Sequence, residues 1–128
     1  MARIISIEDS PVLQRLLEIT MRGTGIEVES YLDGSGGLEA ALEDPPDLIV
    51  LDLGLPDVSG WQVLDRLRAE SATFETPVII TTGQAWGSVV DRAATYDAVT
   101  LEKPYTGAVL RGTILVMIET RFVAKSLT

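Results

Sequence analysis

The chain has 128 residues, a net charge of −9, 46% hydrophobic residues, and neither cysteine nor histidine. That length fits one domain with a real core, no apolar run approaches the ~20 residues that span a bilayer, and the acid excess opposes a nucleic-acid-binding surface. Without Cys or His there is no disulfide, thiolate nucleophile, Ser-His-Asp triad or imidazole metal ligand, so any chemistry falls to carboxylates, hydroxyls, lysine and a hard metal ion. The elements alternate along the chain. A strand over Arg3–Ile7 leads to a helix from about Pro11 to Arg22, with Ser10 as N-cap and Pro11 at its first position. The expected buried stripe of this helix is Val12, Leu13, Leu16, Leu17 and Thr20 or Met21, and Gly23-Thr24-Gly25 ends it. A half-polar strand, Glu27–Tyr31, reads as lying near an edge. A helix of roughly Gly37–Glu43 precedes the turn Asp44-Pro45-Pro46-Asp47, and the wholly apolar run Leu48–Leu51 ends at Asp52. After the loop Gly54–Ser59 comes an amphipathic helix, Gly60–Ala69, burying Trp61, Val63 or Leu64, and Leu67. A strand over Val78–Thr82, a weaker helix over Ser88–Tyr96, a strand over Val99–Leu101 and a helix from Thr106 to about Phe122 complete the chain.

Five strands alternating with five helices, with no repeat or linker, predict a doubly wound α/β domain with a five-stranded parallel sheet and helices on both faces, covering residues 1–128. No output domain is visible. Met1-Ala2-Arg3 runs straight into the first strand without the apolar region of a signal peptide, so a cytoplasmic location is expected.

In a parallel sheet the strand ends share one edge, and ligands of open α/β sheets sit there. That edge receives Glu8 and Asp9, Asp52, Thr82 and Lys103. Crowded carboxylates repel one another, and a divalent hard cation relieves the conflict. Mg²⁺ suits a site with few carboxylates, retained waters and phosphate oxygens. Asp9 and Asp52 are the candidate direct ligands, with Glu8 acting through a metal-bound water and Gly54 through its carbonyl. A free Asp52 oxygen would then attack phosphorus to form an aspartyl phosphate. Mg²⁺, the Lys103 ammonium and the Thr82 hydroxyl would share the charge on the transferred group. Thr81, adjacent to Thr82, leaves a one-residue register alternative.

These residues carry a resemblance over essentially the whole chain. Glu8-Asp9, the segment from Asp52 through Leu55-Pro56 to Gly60, the run Pro77 to Thr82-Gly83, and Lys103-Pro104-Tyr105 together resemble the receiver domain of bacterial two-component response regulators. The resemblance implies a CheY-like, flavodoxin-like sheet of order 2-1-3-4-5. It implies a signalling domain rather than an enzyme, taking phosphate onto Asp52 from a phosphohistidine of a sensor kinase or phosphotransfer protein and assisting its own dephosphorylation. It also puts Gly54 and Gln84 at positions that tune the phosphate's lifetime. Two departures stand out. Thr100 occupies the place of the family's aromatic switch, and Tyr96-Asp97 replaces a Gly-Ala pair, which makes Tyr96 a candidate for part of the aromatic role.

The final helix carries more apolar residues than one buried stripe uses: Val109, Leu110, Ile114, Leu115, Val116, Met117, Ile118, Phe122 and Val123. Two readings follow, a homodimer or effector-docking face and a deeply packed helix. Asp57 reads as an ordinary loop acid, and Trp61 and Trp86 as packing or rim aromatics. Competing functions are a pseudo-receiver that signals without phosphorylation, a flavin protein and an aspartyl phosphatase. The flavin reading lacks a glycine- and hydroxyl-rich phosphate loop after the first strand. The phosphatase reading lacks a second acid two residues beyond Asp52, where Gly54 stands.

Overall fold

The computed structural model describes residues 2–84 and 87–127; Trp86 lies outside them. Elements follow in the order β1 (Arg3–Ile7), α1 (Pro11–Thr20), β2 (Glu27–Tyr31), α2 (Gly34–Glu43), β3 (Leu48–Asp52), α3 (Gly60–Ala69), β4 (Val78–Thr82), α4 (Gly87–Ala94), β5 (Ala98–Glu102) and α5 (Gly107–Ser126). All pairings are parallel and the sheet order is β2-β1-β3-β4-β5, the doubly wound arrangement that the alternation predicts.

Alternate strand residues feed two cores. Ile5, Ile7, Ile49, Leu51, Val78 and Ile80 pack with Ala41 of α2, Val63, Leu64 and Leu67 of α3 and Ala93 of α4. Ile4, Leu48, Val50 and Ile79 pack with Leu17 of α1 and with Leu110, Ile114 and Ile118 of α5. β3 and β4 are buried at every position, as expected for strands covered on both faces. β2 has no buried residue and pairs only with β1, which makes it one edge of the sheet, with β5 the other.

The structure revises the expected elements at four places. In α1, Val12 is 77% exposed while Gln14 is buried at 4%. The Gln14 amide nitrogen donates to the carbonyls of Ser6, Glu8 and Tyr31 at 3.0–3.2 Å, so a polar side chain takes the inward place and ties α1 to the ends of β1 and β2. Next, α2 starts at Gly34, three residues before the apolar pattern does. Asp33 caps it through Gly36 N at 2.6 Å, and Asp57 accepts from Gly34 N at 2.8 Å and Ser35 N at 2.9 Å. These carboxylates hold donors that the helix cannot satisfy itself, which offsets the weak propensity of a Gly-Ser-Gly-Gly start. Gly37 has a further reason to be glycine, because a Cβ there would lie 2.5 Å from Ile7 Cγ1. Third, α1 and α4 end two residues short of the expected ends, and β5 gains one residue at each end. Finally, α5 begins after the Thr106 cap and runs on to Ser126. Its surplus apolar residues are not packed inward: Val109, Val116, Phe122 and Val123 are 44–63% exposed. The deeply packed reading of that helix therefore fails.

Candidate functional site

The sheet order makes the chain leave β1 in one direction and β3 in the other, so the crevice between their carboxyl ends is the topological switch point where ligands bind. The acids predicted from sequence sit there. β1 delivers Glu8, buried at 5%, and the exposed Asp9; β3 delivers Asp52, buried at 5%. One oxygen from each of the three lies within 4.8 Å of the others.

Lys103 reaches the same point from the end of β5. Its backbone N–H donates to Thr82 O at 2.8 Å, extending the β4–β5 ladder by one residue, and the Lys103–Pro104 bond that follows is cis. Its ammonium lies 2.7 Å from Glu8 Oε1 and 3.2 Å from Asp52 Oδ1. Burial pulls the Lys103 pKa down, but the Glu8 and Asp52 charges outweigh that and hold it above its ordinary value. Burial pushes the Glu8 carboxyl up to about 7, with the Asp52 charge adding to the rise and the Lys103 and Ser10 hydrogen bonds opposing it.

Thr82 rather than Thr81 lines the cleft. Thr81 is paired alongside Asp52 in the sheet, and its carbonyl accepts from Leu53 N. The Thr82 hydroxyl accepts from Gln84 N at 3.1 Å, and Gly54 N donates to Asp52 Oδ1 at 3.2 Å. A Cβ on Gly54 would sit 4.0 Å from that oxygen. The cleft, about 590 Å³, is lined by Asp9, Asp52, Gly54, Thr82 and Lys103, with Trp61 on its wall. Every predicted site residue except Glu8 lines it directly, and Glu8 lies behind, against Lys103.

With all three carboxylates ionised, they exceed the one ammonium by two negative charges. A set of hard oxygen donors with that excess fits a divalent cation such as Mg²⁺. The raised Glu8 pKa gives a pH test of the metal-free protein. The protonated form is favoured by folding, so this stabilisation is full below the unfolded value of 4.5 and is lost as pH rises through about 7. In chelator, stability is expected to fall by on the order of 1–3 kcal/mol across that window. The slope should flatten in Glu8→Gln; urea titrations with equal slopes in both proteins would count against this origin.

Two features were not visible in the sequence. Asp57 is a clamp joining the β3–α3 loop to the start of α2, and hydrogen bonds from Ser35 and Gly34 hold its pKa well below the usual carboxylate range. Trp61 belongs to a chain of contacts beside the cleft. The Arg92 guanidinium lies 4.3 Å from its ring centre, Tyr96 stacks on it at 6.2 Å, and the Tyr96 hydroxyl donates to Asp65 at 2.5 Å. Thr100, where the aromatic switch was missing, has a buried hydroxyl oxygen without a hydrogen-bond partner.

Comparison with known proteins fits this geometry. The family model for the response regulator receiver domain matches residues 4–115, and the chain belongs to that family. It is 38% identical over 98 residues to the DNA-binding dual master transcriptional regulator RpaA of Synechocystis, a match covering 77% of this chain and 40% of that protein. It is 39% identical over 98 residues to the transcriptional regulatory protein KdpE of Mycobacterium tuberculosis, covering 77% and 41%. The chain thus matches only about two fifths of the length of these curated relatives. Among solved structures, the receiver domain of a putative LuxO repressor protein from Vibrio parahaemolyticus superposes with a TM-score of 0.92 at 25% identity, covering 98% of this chain and 96% of that one. The chemotaxis protein CheY4 of Vibrio cholerae superposes at 0.83 with 24% identity, covering 91% and 98%, and supports the fold alone. The chain is a response regulator receiver domain of the two-component type, a family of signalling domains. Among the described residues, no helix is long and apolar enough to cross a membrane.

Proposed function

We propose that this domain is a phosphorylation-dependent switch, with Asp52 accepting a phosphoryl group from a phosphohistidine on a sensor kinase or phosphotransfer protein. The observation that carries the reading is the convergence of Glu8, Asp9, Asp52 and Lys103 at one strand-end crevice, with Lys103 bridging the two buried acids. Asp9 and Asp52 with the Gly54 carbonyl would hold Mg²⁺ directly and Glu8 through water, and the cation would supply charge neutralisation for the incoming phosphate. An Asp52 oxygen attacks phosphorus, the phosphorus–nitrogen bond of the donor breaks, and the imidazole leaves with the bonding pair. Lys103 swings from its bridging place to a phosphoryl oxygen, and the Thr82 hydroxyl with the Gly54 amide covers others. Residues 1–128 act as one receiver unit in a cytoplasmic setting.

Incubating the protein with Mg²⁺ and acetyl phosphate is expected to give a single phosphoryl adduct by intact mass, absent with chelator and absent in Asp52→Asn. An equal adduct in that variant would overturn the assignment. The alternative of a module that signals without phosphorylation draws on Thr100, since a threonine cannot swing a ring between two pockets. The contacts of Trp61 support the phosphorylation-dependent reading: a side chain on the cleft wall is joined through Arg92 and Tyr96 to α4 and the segment just before β5. In a Trp86→Phe background, phosphorylation is expected to change Trp61 emission, and Arg92→Ala to reduce that change. An emission spectrum indifferent to phosphate would remove this route.

A further inference from the structure

A second cavity lies at the amino ends of β4 and β5, the opposite end of the sheet from Asp52. Pro77, just before β4, and Asp97, just before β5, line it, and the last turns of α5 close one side through Met117, Arg121 and Lys125. Its volume is about 690 Å³, inside the range of about 300–1,000 Å³ that small-molecule sites occupy. None of the residues at the switch-point crevice takes part in it.

Two guanidinium groups line this cavity, and both donate to backbone alone. Arg68 Nε donates to Tyr96 O at 2.8 Å, and its Nη1 to Thr73 O at 3.1 Å and Thr76 O at 2.8 Å. Those bonds tie α3 to the segments that precede β4 and β5. Arg121 donates from Nη1 to Glu75 O at 3.1 Å, while its Nε–H is enclosed and has no hydrogen-bond partner. Among the described residues neither arginine belongs to an ion pair. An enclosed charged donor without an acceptor costs free energy, and native structures keep few of them. The planar fork of a guanidinium matches a carboxylate or a phosphate.

The rest of the lining selects between those anions. Arg68, Arg121 and Lys125 bring three positive charges, and Glu75 and Asp97 bring two negative ones. The cavity therefore holds an excess of one positive charge in a chain whose net charge is −9. A single negative charge balances that excess, whereas a dianion would face the two acids unbalanced. The apolar side is formed by Phe74, which is 56% exposed, with Pro77 and Met117. A ring and a thioether together suit an aromatic body.

We infer that this cavity binds a small aromatic monocarboxylate, with the carboxylate at Arg121 and the ring among Phe74, Pro77 and Met117. Arg68 keeps the cavity's shape through its three carbonyl bonds and adds to the positive field. The site is remote from the strand-end crevice, so the inference does not rest on the chemistry at Asp52.

The probe is phenylacetate, titrated into the isotope-labelled protein and followed by amide NMR. Shifts are expected to saturate and to concentrate at residues 74–76, Asp97 and residues 117–125. Arg121→Met is expected to weaken binding by about tenfold or more, the scale of losing a hydrogen bond to a charged group. Ala124→Trp puts a ring into the cavity from an exposed position of α5 and is expected to abolish saturation. Arg15→Met removes a charge outside the lining and is expected to bind as the wild type does, with circular dichroism native in all three variants. Absence of saturable shifts would overturn the inference, as would wild-type binding by Arg121→Met or by Ala124→Trp. Equal binding of phenethyl alcohol would remove the carboxylate from its role, and tighter binding of phenyl phosphate would overturn the choice of a monoanion.

Discussion

The Lys103→Met protein is expected to lose phosphoryl accumulation at Asp52 by about 10²–10³-fold, the scale of removing one positioned charge donor from a developing oxyanion. It is also expected to become unusually dependent on Mg²⁺ for stability. In the wild type the ammonium lies 2.7 Å from Glu8 and 3.2 Å from Asp52, whose side chains are only 6% and 7% exposed. Methionine keeps the apolar stem and removes the charge, leaving two enclosed acids without their shared partner. Breaking one side of a buried ion pair costs about 3–5 kcal/mol, reduced here because Glu8 can take up a proton. The loss should therefore be small near pH 5 and larger above pH 7, the side on which Glu8 ionises (its carboxyl sits at about 7 in the intact pair). Mg²⁺ should restore more stability to the variant than it adds to the wild type. Urea titrations with chelator and with Mg²⁺, beside phosphorylation followed by intact mass, check both parts. A variant that phosphorylates at the wild-type rate would remove Lys103 from its assigned role.

Gly60→Ala is expected to destabilise the fold by about 1–3 kcal/mol, the range for overpacking. The sign is informative, because alanine ordinarily stabilises a helix relative to glycine. Here the added methyl would lie 2.7 Å from Leu53 Cα and 2.8 Å from Asp52 O. Both are backbone atoms, held by Leu53 N bonding to Thr81 O and by Gly60 N bonding to Leu53 O, so neither can yield cheaply. Relief requires the end of β3 to move, and Asp52 moves with it. The variant should both unfold at lower denaturant and phosphorylate more slowly. A stability equal to or above that of the wild type would mean that the β3–α3 junction is looser than this packing implies.

The candidate site was legible because parallel strands announce themselves. Runs such as Leu48–Leu51 have a single role, and the residue after each run lands on a common edge whatever the loops do. Thr82 needed the structure to separate it from Thr81, since the distinction depends on register against Asp52. Features that depend on distant partners were hidden. The role of Asp57 rests on amides at Gly34 and Ser35, and the early start of α2 rests on Asp57, so neither half of the clamp signals itself alone. Gln14 was concealed for a different reason. An apolar stripe favours Val12 as the buried member, but the carbonyls of Ser6, Glu8 and Tyr31 converge where α1 meets the sheet, and only a donor can fill that place. The apolar excess of α5 was countable in sequence, but its direction was not.

β2 is one of the two open borders of the sheet, β5 being the other, and its composition has a consequence for behaviour at high concentration. Its sequence alternates Glu27, Val28, Glu29, Ser30 and Tyr31, none of them buried, and Arg3 holds Glu29 at 2.8 Å. A second chain adding a strand there would bring its own Glu27 and Glu29 beside these, an arrangement of like charges that discourages strand addition. Crowded solutions of this protein should therefore not grow by strand addition at β2, because that edge offers a growing fibril no hospitable template.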